Sequence, residues 1–306
     1  MNRRTFIQAS LFGVGALRSL DTIAAQASTH RNDSFDLAIV KGEDIQQTLT
    51  AALDAIGGIG TFVKPGNIVL LKPNMSFPNP PAWGTTTHPE VIRTVVKLCV
   101  GAGAKRVIVT EFPMSRPQAC FERSGLKELI SSLPEMSFVE LKEESQFEKV
   151  EVASGKEVRE IQIAKLIRKA DVFINLPTAK AHTSTGVSFG IKNLMGLFWN
   201  RWSFHQEHDL HEAIVDLAST MKPHLTILDA AYALLTNGPQ GPGKTAQLNT
   251  MIAGRDLVAV DALGCELADW NSRTTSVQNI SHIMKAAERG LGSIDLSKLN
   301  IFRQGM

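Results

Sequence analysis

Asp171-Val-Phe-Ile-Asn175 is a short, mostly apolar, β-prone run, and Leu-Pro-Thr-Ala-Lys180-Ala-His182-Thr-Ser-Thr-Gly186 follows it directly. A strand apolar on both sides of its pleat belongs beneath helices on both faces, as in a parallel sheet. Its carboxyl end then opens on what reads as an anion-binding loop, with Lys180, His182, several hydroxyls and Gly186 ahead of a helix start. In open α/β sheets ligands bind at that end, where loops and helix N-termini converge with unpaired backbone donors.

The same pattern recurs three times. Asn67 to Leu71 runs into Lys72-Pro73-Asn74, Arg106 to Thr110 into Glu111, and Leu225 to Leu228 into Asp229. Helical stripes alternate with these strands. Pro89 suits a first helical position, and Val91, Ile92, Val95, Val96 and Cys99 share one face before Gly101 and Gly103. Leu210, Ala213, Ile214, Leu217, Ala218 and Met221 form a second stripe that stops before Pro223, and Ile191, Leu194, Met195 and Phe198 a shorter one. The spacing predicts an α/β fold, a mostly parallel sheet with helices on both faces. Phe138 to Ile163 is less regular and reads as a small β insertion, a hairpin turning near Ser154-Gly155-Lys156.

Ahead of the first strand, Asn2-Arg3-Arg4-Thr5-Phe6-Ile7-Gln8 precedes an apolar stretch from Leu11 to Leu17 and then Ala25-Gln26-Ala27. Paired arginines, a modest hydrophobic segment and a small-x-small cleavage site are the order of a twin-arginine signal peptide over residues 1–27. Residues 28–306 are then expected as a single α/β domain. The translocase is the expected partner during export, and the destination is periplasmic or otherwise outside the cytoplasm. The apolar stretch is too short to span a bilayer, so no permanent membrane anchor is expected.

The 306-residue chain carries a formal net charge of +2, all of it contributed by Arg3, Arg4, Arg18 and Asp21 in the leader. A neutral remainder without a basic run is a poor binder of nucleic acid. Cys99, Cys120 and Cys265 are widely spaced with no CxxC pair, so neither an iron–sulfur cluster nor a cysteine-rich zinc site is encoded. Cys99 and Cys265 lie in apolar helical patterns and read as buried thiols; one disulfide stays open in an oxidising compartment.

Four polar strand ends on one rim define the candidate site. Lys72, Lys180 and Lys192 have the charge to clamp a carboxylate or phosphate, His182 the pKa range to move a proton, and Asp229 or Glu111 the charge to orient it. His182, Lys180, Asp229 and Glu111 are the candidate catalytic residues. Lys72, Asn74, His88, Lys192, Asn193 and Asn237 are the candidate substrate-binding residues. His205, His208 and His211, three apart near a helix start, are candidate metal ligands, with His182 or Glu207 able to complete a set. Their spacing matches no strong metal signature, and capping or packing histidines are the competing reading.

Gly238-Pro-Gln-Gly-Pro-Gly243-Lys244-Thr245 satisfies GxxxxGK[ST] literally. A phosphate loop needs a strand running straight into it and a helix leaving from the Lys-Thr. Here Asp229 to Asn237 intervene, and Leu248 to Ala253 reads as another strand. The segment is better taken as a Pro/Gly loop over the site. Asp261, inside the apolar helix Leu257 to Cys265, must be paired or hydrogen-bonded to be buried; it reads as a structural partner for a loop amide or Lys, with a site residue of shifted pKa as the alternative.

Lys72-Pro-Asn74, Thr86-Thr-His88-Pro89-Glu90, the Asn175 to His182 segment, Gly190-Ile-Lys192-Asn193-Leu-Met-Gly196, Asn237-Gly-Pro239 and Arg255-Asp-Leu-Val-Ala-Val-Asp261-Ala together resemble the domain of unknown function 362 family, from about Phe35 to Gly292. The resemblance implies one α/β domain in which these polar blocks matter. Members of that family are often described as iron–sulfur proteins because some carry an appended ferredoxin-like domain, which this chain lacks. More loosely, the chain resembles the nickel-pincer lactate racemase family, where a lysine and histidines gather around a tethered metal cofactor. The expected function is an exported enzyme acting on a small anionic substrate. The alternative is a periplasmic metal- or cofactor-binding or maturation protein without catalysis of its own.

Overall fold

The computed structural model describes residues 34–306; the signal-peptide reading lies outside the described residues. Twelve strands follow in order: β1 (Leu37–Lys41), β2 (Ile68–Pro73), β3 (Arg106–Glu111), β4 (Met136–Glu140), β5 (Phe147–Glu151), β6 (Glu160–Ala164), β7 (Val172–Leu176), β8 (Thr178–His182), β9 (Gly186–Ser188), β10 (Leu225–Leu234), β11 (Thr245–Gly254) and β12 (Ile301–Gln304). The helices are α1 (Ile45–Ala55), α2 (Pro89–Gly101), α3 (Pro117–Arg123), α4 (Leu126–Ser132), α5 (Leu166–Lys169), α6 (Gly190–Asn193), α7 (Arg201–Gln206), α8 (Leu210–Thr220), α9 (Leu257–Cys265) and α10 (Ser281–Glu288).

The main sheet runs β12-β1-β11-β10-β7-β2-β3-β4. Its β10-β7-β2-β3-β4 half is parallel, and β11 runs antiparallel to both β1 and β10. Alternate strand residues point into two cores, because side chains on a strand alternate faces. Leu70, Ile108 and Phe173 pack with α6, α8, α9 and α10, whereas Val69, Leu71, Val107, Val109 and Ile174 pack with α1, α2 and α4. Each such buried aliphatic contributes about 1.5–3 kcal/mol, which is why both helical layers hold. The expected α/β architecture is what forms.

Helix starts follow local chemistry. Asp44 caps α1 by accepting from the Gln47 N–H, and the His88 ring accepts from the Glu90 N–H ahead of Pro89 in α2. All three cysteines are buried free thiols, Cys99 and Cys120 in one core and Cys265 in the other. Burial pushes the Cys99 thiol up to about 12. The β insertion is the antiparallel β5-β6 hairpin. Its turn is tied down by Asp216 of α8, which accepts from the N–H groups of Lys156, Glu157 and Val158 and pairs with Arg289 at 2.6 Å.

The sheet splits where the sequence places Pro177. β7 pairs with β2 as far as Leu176, opposite Pro73. Proline then removes a ladder donor, and the chain resumes as β8, which leaves β2 and pairs with the far half of β10. β8 turns back through Thr183 to Thr185 into β9. Two expectations are corrected here. Lys180 and His182 lie on a strand of a β-hairpin and not in a loop, and β10 runs on past Leu228 to Leu234, so Asp229 is mid-strand. The mid-strand carboxylate is tolerated because it accepts from the N–H groups of His88 and Ala231.

Candidate functional site: a cationic cavity where the sheet splits

Beyond the ends of β2 and β3, against β8, lies a cavity of about 90 Å³. An engineered cavity of about 150 Å³ takes up benzene, so this one suits a molecule of a few heavy atoms. Lys180, His182, Lys192, Asn74, Asn193, Arg201 and His205 border it, with Phe77, Met195 and Pro239 supplying apolar wall. Lys180, His182, Lys192, Asn74 and Asn193 were all legible as candidates, and the fold brings them together.

A layer of buried polar groups supports the cavity from beneath. Glu111 ends β3 and pairs with the Lys72 Nζ at 2.9 Å, both side chains being fully enclosed. The Lys72 Nζ also donates to the Pro73 carbonyl at 2.8 Å and to the Asn193 Oδ1 at 2.9 Å. Three oxygen acceptors require three protons, so Lys72 is held as the ammonium. Burial pulls its pKa down against the attraction of Glu111. The remaining Glu111 oxygen lone pairs accept from the N–H groups of Met75 and Phe112.

Asn193 transmits this order upward. Its Oδ1 accepts from Lys72 and from the Asn74 Nδ2, while its Nδ2 donates to Asn175 at 2.8 Å and the Lys72 carbonyl at 3.2 Å. The Asn74 Oδ1 accepts from the Lys180 Nζ at 2.9 Å. Thr86 and Thr87 brace the Asn74 backbone, which places the Thr86 to Glu90 block beside the Lys72 block. Gly196 is glycine because a Cβ there would strike the Glu111 carboxylate and the Lys72 Nζ. Asp261 holds the start of α6, accepting from the Gly190 and Ile191 N–H groups, and burial raises its pKa to about 7. Its expected structural role is the one the geometry gives it.

The cavity wall differs from its support. The Lys180 Nζ has two oxygen acceptors, Asn74 Oδ1 and the Thr85 carbonyl at 2.8 Å. The Lys192 Nζ has only the Met195 thioether, a weak acceptor, at 3.0 Å. Burial, aided by the charge of Lys72, lowers Lys180 to about 7, and burial with the charge of Arg201 lowers Lys192 to about 7. Arg201 donates to the Phe112 and Pro113 carbonyls and stacks 4.2 Å over the Phe112 ring; burial lowers it to about 10. Among the described residues, none of these three buried cations is paired with a carboxylate.

Two histidines border the cavity with opposite tautomers. The His182 Nδ1 accepts from the Ser184 N–H at 3.1 Å, so its proton sits on Nε2. The His205 Nδ1 faces the Arg201 carbonyl at 2.9 Å, so it carries the proton and leaves Nε2 as an acceptor. Burial, reinforced for His182 by Lys192 and Lys180, keeps both rings neutral. The cavity thus holds one proton donor and one acceptor at neutral pH.

Several candidates lie elsewhere. Lys72 and Glu111 sit one layer below the cavity, each satisfied by the other. Asp229 and His88 join β10 to the start of α2, and Asn237 is at the exposed β10-β11 turn, donating to the Pro242 carbonyl. The three spaced histidines are not brought together. His205 faces its own helix backbone, His208 meets Glu157 of the insertion at 3.2 Å, and His211 stacks on His282 with centroids 6.0 Å apart. Among the described residues no group of three or more His, Cys, Asp or Glu is placed to hold a metal ion. With Cys265 in the opposite core from Cys99 and Cys120, the cysteines do not fit an iron–sulfur cluster either.

The Gly238 to Thr245 segment links β10 to the antiparallel β11, so a strand and not a helix follows Thr245. It covers the cavity edge instead, with the Gly238 carbonyl accepting from the Thr183 N–H and Pro239 on the wall. Arg201 was missed by sequence reasoning. It stands among aromatics at Trp199-Asn200-Arg201-Trp202, and nothing in charge spacing marks it.

Among curated proteins, a thylakoid-associated protein of Synechocystis sp. is 30% identical over 221 residues, covering 70% of this chain and 67% of that protein. Among solved structures, the lactate racemase apoprotein from Thermoanaerobacterium thermosaccharolyticum superposes with a TM-score of 0.48 at 16% identity, covering 75% of this chain and 56% of that one. The chain therefore spans little more than half the length of that structure. Residues 69–266, which carry the split sheet, the polar layer and every residue of the cavity wall, match the family described as Domain of unknown function (DUF362), and the chain belongs to it.

Proposed function

We propose that the protein is an exported enzyme that binds a small anionic substrate, a carboxylate or phosphate, in the cationic cavity and moves a proton on it. One observation carries this reading. Three buried basic side chains, Lys180, Lys192 and Arg201, share a cavity without a carboxylate among them. A buried charge is expensive unless compensated, and an anionic ligand supplies the compensation that the protein withholds. Lys180 and Arg201 hold the anion, His182 donates through Nε2–H, and the His205 Nε2 accepts. The Asn74-Asn193-Lys72-Glu111 network fixes the position of Lys180.

The binding test is thermal melting of the purified protein against inorganic phosphate, sulfate and a panel of small mono- and dicarboxylates. At least one anion is expected to raise the melting temperature, and Arg201→Met to abolish the rise. The absence of any shift across the panel would sink the reading. Export rests on Arg3 and Arg4 in the leader. Replacing both by Lys should leave full-length precursor in the cytoplasm, and normal export of the double variant would refute that route.

A further inference from the structure

We infer that Lys192 is a nucleophile that forms a Schiff base with a small 2-oxo acid, an inference that rests on the anion-site reading and names the substrate class within it. Lys192 has no oxygen acceptor, is buried, and opens on the cavity beside Lys180 and Arg201. An amine in that setting keeps its lone pair available, since no ion pair holds it protonated; its pKa of about 7 agrees. Lys180, Arg201 and Lys192 line one cavity of about 90 Å³, so a ligand whose carboxylate meets the first two can present its adjacent atom to the Lys192 Nζ. A carbonyl at that atom is what an amine attacks.

The step balances within the site. The Nζ lone pair forms a bond to the carbonyl carbon, and the C=O π pair moves to oxygen, which accepts a hydrogen bond from the His182 Nε2–H. The His205 Nε2 takes a proton from the nitrogen and, as the imidazolium, delivers it to that oxygen. The nitrogen lone pair of the carbinolamine then expels the hydroxyl, which leaves as water with the second nitrogen proton relayed by the same ring, and the C=N bond forms. In total the amine gives up two protons and the carbonyl oxygen leaves with both. No redox partner is required.

The test is reductive trapping. The full chain is incubated with pyruvate and sodium cyanoborohydride at pH 7.5, which delivers hydride to the imine carbon, and the adduct is located by peptide mass mapping. An ordinary lysine is amine at roughly one part in a thousand at this pH, whereas a lysine near 7 is mostly amine. Labelling is therefore expected at Lys192, at least about tenfold faster than at the exposed Lys127 and Lys149. The Lys192→Arg variant, which keeps a long basic side chain but has no nucleophilic amine, should lose this adduct. Pyruvate that raises the melting temperature without labelling Lys192 would overturn the covalent step and leave the anion site standing. Labelling spread evenly over exposed lysines would also overturn it. Failure of pyruvate and every other anion to shift melting, together with no adduct, would overturn both readings.

Discussion

Beneath the cavity the Lys72 ammonium has three oxygen acceptors; on the cavity wall Lys180 has two and Lys192 has none. All three side chains are buried, so burial alone does not separate a structural lysine from a functional one. What separates them is whether the protein supplies partners for every proton. The lower layer is closed, with each donor and acceptor spent on another residue. The wall is open: among the described residues its two amines have fewer oxygen acceptors than an ammonium has protons.

The comparison breaks most visibly at Glu111. Glu111→Gln leaves the Lys72 ammonium enclosed without its counter-charge, and unfolding in denaturant should show a loss of about 3–5 kcal/mol. A loss below about 1 kcal/mol would mean that the lower layer is not closed as described. Lys192→Met should act in the opposite direction. Removing an amine without an oxygen partner is expected to stabilise the ligand-free fold by about 1–3 kcal/mol, while weakening the anion-induced rise in melting temperature. Equal destabilisation by Lys72→Met and Lys192→Met would erase the distinction between the two layers.

A smaller effect should appear in the pH dependence. Folding lowers the pKa of Lys180 and Lys192 from the ordinary lysine range to about 7, so between pH 7 and 10 the unfolded chain binds more protons than the folded one. Stability of the ligand-free protein therefore rises with pH across that window, by at most about 1.4 kcal/mol per pH unit for each lysine, and falls as pH drops from 10 towards 7, levelling off below 7 where both states carry the protons. Saturating inorganic phosphate, which favours the ammonium forms, should flatten the slope. Thermal melting at several pH values, with and without phosphate, measures it. A free protein whose stability falls over the same interval would contradict the two lowered lysines.

The chain's periodicity decided the fold without help. Apolar runs ending in Lys72, Glu111 and Asn175, separated by stripes such as Val91 to Cys99, can bury themselves only as parallel strands between helical layers. Lys180, His182, Lys192, Asn74 and Asn193 were legible as a site because strand ends converge. Which side of the cavity wall each candidate would occupy was not legible. Lys72 and Lys180 are the same residue type in equally polar blocks, yet one meets Glu111 from β3 and the other an open space created where Pro177 parts β7 from β8. Asp229 reads as a strand end until β10 runs past it, and the spaced histidines share a period but not a neighbour. Arg201 joins the site only through carbonyls far away in sequence, at Phe112 and Pro113. Partner counts belong to contacts between distant segments, and local sequence carries residue type and spacing but not those contacts.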